Sequence, residues 1–95
     1  MTRSPAARLL RALDASARGH GLTLCLIESQ ERAWSSATFT GQHLTLAVAI
    51  AGGDSAAWLN ALPEEDLPVP GRLVADLVVR THDDATTLEV LLLEA

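Results

Sequence analysis

The sequence has no lysine, a single cysteine and no apolar run that approaches a membrane span. Each shortage excludes something. Seven arginines against twelve acids leave a net charge of −5. That balance argues against a protein that coats DNA or RNA, because phosphate binding needs surplus positive charge. The lone thiol, Cys25, makes no internal disulfide and no multi-cysteine zinc site. A helix needs roughly 20 apolar residues to cross a bilayer, so a cytoplasmic protein with no membrane contact is expected. No His-Glu-x-x-His, Gly-x-Ser-x-Gly or phosphate-loop pattern occurs, so no cofactor is expected and the reading leans away from an enzyme.

What is present fits one folded domain. The chain has 95 residues, 48% of them hydrophobic and 20% charged, which is a globular and not a disordered composition. A domain of this size buries only roughly 60–65% of its unfolded surface, and such domains often gain stability by pairing with another chain. Residues 1–18 carry Arg3, Arg8, Arg11 and Arg18 against one acid, Asp14. Organellar transit peptides share that composition. The punctuation of the segment reads instead as an ordinary amphipathic helix, and a secretory signal's continuous apolar stretch is lacking.

Ser4-Pro5 opens that helix as cap and first residue. Ala6, Leu9, Leu10, Leu13 and Ala17 give it one apolar side, and Gly19 is expected as its left-handed cap. Alternation then predicts a strand from Leu22 to about Ala33, a turn at Trp34–Ser36, and a return strand from about Ala37 to Ile50. Opposing Leu24 to Leu46 and Leu26 to Leu44 closes this hairpin with a three-residue loop. A bulge near Gly41-Gln42 then brings Phe39 to the apolar side. Asp54 caps a short helix through Trp58 and Leu62, followed by an acidic, proline-stiffened connector over 64–71. A two-residue Asp83-Asp84 turn joins the last two strands and places Leu77 opposite Val90 and Val79 opposite Leu88.

The expected fold is α+β in the order α-β-β-α-β-β: a four-stranded antiparallel sheet with two helices packed on one face. Leu9-Leu10-Arg11-Ala12-Leu13 and Trp58-Leu59-Asn60-Ala61-Leu62 echo one another ahead of two hairpins. The echo points to αββ halves over 1–53 and 54–95.

Two helices shelter one side of such a sheet. The side assigned to them carries Leu22, Leu24, Leu26, Leu44, Leu46, Val48, Leu73, Leu77, Val79, Leu88, Val90 and Leu92. The other side should then be polar, yet it carries Cys25, Ile27, Ala47, Ala49, Val74, Val78, Leu91 and Leu93 among its polar residues. An apolar patch beyond a few hundred Å² usually marks a contact surface. Burying ~600 Å² of it yields about 15 kcal/mol gross, much of it lost to association costs. Trp34, at the expected hairpin tip, is a natural contact anchor.

Candidate chemistry is sparse. Asp76 and Arg80 share the second face, and a buried Asp76 needs a partner, which Arg80 offers. His43 falls opposite Ile27 in the expected register and so near Cys25, although a strand cysteine is ordinarily an inert small hydrophobe. His82, Asp83 and Asp84 are ligand types gathered in a turn that aspartates favour anyway. Gly52-Gly53-Asp54-Ser55 opens a helix that could hold an anion, but Asp54 would repel it. The expected function is therefore a homodimeric binding module that uses its second sheet face, with a further protein partner. The alternative is a small enzyme or small-molecule-binding protein with a pocket around Asp76, Arg80 and His43.

Overall fold

Ser4 and Pro5 start the chain's first element as their chemistry dictates. The Ser4 hydroxyl accepts from the Ala7 amide at 3.2 Å, and Pro5 occupies the first helical position. A computed structural model describes residues 4–94, so Arg3 lies outside the described residues. The order is α1 (Pro5–Gly19), β1 (Leu22–Ser35), β2 (Thr40–Gly52), α2 (Ser55–Ala61), a 3-10 turn (Leu62–Glu64), β3 (Arg72–His82) and β4 (Ala85–Glu94). Helix α1 runs through Gly19. The left-handed residue is Gly21, at φ 75°, two positions later than the sequence indicates.

The four strands form one antiparallel sheet in the order β1-β2-β4-β3, so the two hairpins join through their second strands. Both helices pack on the same face. Leu9, Ala12, Leu13 and Ala17 of α1, with Trp58 of α2, share one core with Leu22, Leu44, Leu46, Val48, Leu77, Leu88, Val90 and Leu92 of the sheet. The connector also reaches inward. Leu67 and Val69 are buried between the prolines of a segment whose sequence reads as an acidic surface linker. Arg8 donates to the Pro70 carbonyl at 2.7 Å and ties that connector to α1. The buried Trp58 indole donates to Ser16 Oγ at 2.9 Å, and the Ser16 hydroxyl donates in turn to Glu65. The polar edge of the largest core side chain is thereby satisfied by both other layers.

The second hairpin has the expected register. Leu77 lies opposite Val90 and Val79 opposite Leu88. Asp83 and Asp84 turn with φ of 49° and 64°, the left-handed pair that a two-residue hairpin loop requires. One detail differs. A bulge at Ala75 puts Val74 opposite Leu92 on the covered side and moves Leu73 to the other face, where it is 59% exposed. Val74 is therefore a core-packing residue and not part of the second face. Strict alternation misplaces this pair because an extra residue reverses every side chain before it.

The first hairpin departs further. Leu24 lies opposite Ile50 and Leu26 opposite Val48, instead of Leu46 and Leu44. The bulge is in β1 at Ile27 and not at Gly41-Gln42. β1 continues to Ser35, which places Trp34 in the strand opposite Gly41 and Phe39 in the loop. The loop spans 36–39, and Ser36 determines it. Its amide donates to the Phe39 carbonyl at 2.8 Å, and its hydroxyl accepts from the Phe39 amide at 3.1 Å. The polar run 28–32 ends no strand, because this half of β1 is exposed and nothing demands apolar residues there.

These positions are separable by truncation. Leu67→Ala is expected to cost about 2–4 kcal/mol in denaturant unfolding, as a core leucine does. Phe39→Ala, in the exposed 36–39 loop, should cost less than about 0.5 kcal/mol. Equal losses would contradict the burial described here.

Candidate functional site

Residues directly opposite one another in an antiparallel ladder share a face. The register therefore writes the uncovered face as rows running β1, β2, β4, β3. The first row is Trp34, Gly41, Leu93 and Leu73. The second is Arg32, His43, Leu91 and Asp76. The third is Gln30, Thr45, Glu89 and Val78, and the fourth is Glu28, Ala47, Thr87 and Arg80. Cys25 and Ala49 pair beyond them.

Of the residues expected on this face, Cys25, Ala47, Ala49, Val78, Leu91, Leu93 and Trp34 are there, and Val74 is not. Ile27 occupies the β1 bulge and is 67% exposed. Leu73 joins the face in exchange for Val74. Leu93 is buried at 8% exposure yet lies outside the core cluster, as its row position beside Gly41 and Leu73 requires. Gly41 has no room for a side chain, since a Cβ there would meet the Leu92 carbonyl oxygen at 1.9 Å. The face thus ends in a closely approached, apolar strip.

The middle rows are charged in a pattern that single-strand reading misses. Arg32 and Asp76 close the two ends of one row, and Glu28 and Arg80 close the ends of the row two below. Arg80 pairs with Glu89 through its Nε. Arg32, Glu28 and Asp76 are exposed and make no ion pair among the described residues. Glu28 and Arg32, of opposite sign four residues apart in a strand, were the available signal. A shallow hollow of about 170 Å³ lies on this face, lined by Glu28, Gln30, Thr45, Ala47 and Thr87.

The other candidate chemistry is not assembled. His43 lies opposite Arg32, and Cys25 opposite Ala49, so the two are six β2 positions apart, roughly 20 Å. His43 and Asp76 flank Leu91 across β4, and Arg80 is directed to Glu89. The hollow includes none of these three. His82 Nε2 meets Asp83 Oδ2 at 3.1 Å, both exposed. Among the described residues no group of three or more His, Cys, Asp or Glu is placed to hold a metal ion. Asp54 caps α2 itself, accepting from the Ala57 amide at 3.1 Å, which occupies the end where an anion would sit. Among the described residues no helix is long and apolar enough to cross a membrane.

In comparisons with protein-family models, curated proteins and solved structures, nothing matched this chain.

The tight strip gives a prediction. Gly41→Ala should lower stability by about 1–3 kcal/mol, because the added methyl meets backbone that cannot swing aside. An unchanged denaturation midpoint would show that β2 and β4 approach less closely there.

Proposed function

We propose that this chain is a binding module that works as a homodimer, with the uncovered face of its sheet as the contact surface. The observation that supports it is the exposed Trp34 and Leu73 with the half-buried Leu91 and Val78, on a face that neither helix covers. β2 and β4 stay paired from Gly41 to Val48. Four strands over that length make a footprint of roughly 19 by 26 Å, about 500 Å². Side-chain relief raises the accessible area toward the about 800 Å² per partner of an ordinary stable interface.

The composition of the face suits a second copy of the same chain. Its small residues, Ala47 and Ala49, leave space for another sheet to approach, and its large ones sit on the outer strands and β4. A ligand site would need polar groups converging on a cavity. Asp76, Arg80 and His43 are instead spread along the face, so the pocket reading has less support. A further protein partner would bind the dimer elsewhere.

The measurement is molar mass by sedimentation over a concentration series. The unaltered chain is expected to run as a dimer. Leu91→Glu, in the middle of the face, should raise the dissociation constant about 100-fold or more while leaving the far-ultraviolet circular dichroism unchanged. A chain that stays monomeric overturns the proposal, as does a dimer indifferent to Leu91→Glu.

A further inference from the structure

Resting on that dimer, we propose that its two copies stack face to face about a two-fold axis running along the strands, so that Arg32 of each meets Asp76 of the other and Glu28 meets Arg80. The argument comes from the layout of charge. The four outer positions of the second and fourth rows read Arg32 and Asp76, then Glu28 and Arg80. Signs alternate around this rectangle, and its sides along the strands are four residues long. Rotation about an axis parallel to the strands keeps each row in place and exchanges its ends. Every positive corner then falls on a negative one. Arg32, Glu28 and Asp76, without an ion pair in the single chain, all acquire one.

The uncharged positions agree with the same axis. The apolar first row falls on itself, with the exposed Trp34 over the exposed Leu73 at both ends. The hollow beside Glu28 and Ala47 receives the Arg80 end of the opposite row. A two-fold axis running across the strands would also match charges, pairing Arg32 with Glu28. It would set the apolar first row against the far end of the sheet, near Cys25 and His82, and leave it half uncovered. Sheets stacked this way cross at about 30° and lie about 10 Å apart. The crossing displaces each corner by only a few ångströms, within the reach of an arginine. Hydrophobic burial drives the association, and the charges select its orientation.

Charge exchange tests the geometry apart from the dimer itself. Arg32→Glu and Asp76→Arg are surface changes, and each alone should raise the dissociation constant about 10- to 100-fold, because each places like charges together twice. Mixing the two variants should restore association to within about threefold, since every corner of the mixed dimer is again matched. The double variant Arg32→Glu with Asp76→Arg should behave the same way. If Arg32→Glu is rescued by Glu28→Arg and not by Asp76→Arg, the axis runs the other way and this proposal is wrong while the dimer stands. If neither single variant weakens a wild-type dimer, the corner charges do not meet. A wild-type monomer removes both proposals at once.

Discussion

The structure depends on one shortage of cover. Among the described residues, fifteen helical residues in α1 and seven in α2 are the helical cover for a four-stranded sheet. A helix is about 10 Å across with its side chains, so this pair spans one face and leaves none for the other. Everything buried is arranged to make that single layer hold. Trp58 compensates for the shortness of α2 by filling the core with one large side chain. Its indole N–H would be costly if left unmatched. Ser16 accepts it from α1, and Glu65 accepts the serine proton from the connector. Leu67 and Val69 add the connector as a further piece of cover.

Which residues receive that cover is decided by two extra residues. The bulges at Ile27 and Ala75 each reverse the facing of a strand. Without the second, Leu73 would sit under the helices and Val74 outside. With it, the smaller β-branched residue packs opposite the fully buried Leu92, and the larger one joins the uncovered strip. The first bulge puts Glu28, Gln30 and Arg32 on the uncovered face and sends Ser29 and Glu31 to the other. Charge on that face is thus a consequence of strand geometry as much as of composition.

The sequence made the architecture legible because its strong signals are local. Ser4-Pro5 and Asp54 cap the two helices where they should, and Asp83-Asp84 turns the second hairpin with the register that its apolar residues require. The first hairpin was not legible, because half of β1 is polar on both sides and carries no facing preference. Ser36, not Trp34 two residues before it, holds the turn. The burial of Leu67 and Val69 was hidden for the opposite reason. Prolines and acids on either side mark a surface loop, and only the third dimension shows two alternate side chains directed inward. Alternation alone places Ala47, Ala49, Val78 and Leu91 on the side of the sheet where the register has them, but the charge layout requires the register, since each outer pair joins residues more than forty positions apart.

That layout bears on how a mixed face can be a contact surface at all. A wholly apolar sheet would bind any hydrophobic surface and favour aggregation. The exposed half of β1 would add to the hazard, because an edge strand is a template for further pairing. Here the bulge at Ile27 and the charges Glu28, Glu31 and Arg32 lie along that edge, where they oppose indiscriminate extension of the sheet. The same Glu28 and Arg32 also face outward from the flat of the sheet, beside small residues that admit a close neighbour. In the proposed dimer, the apolar strip supplies the attraction and the alternating corners reject the wrong orientation. The chain itself carries the pattern that such a surface would need to meet.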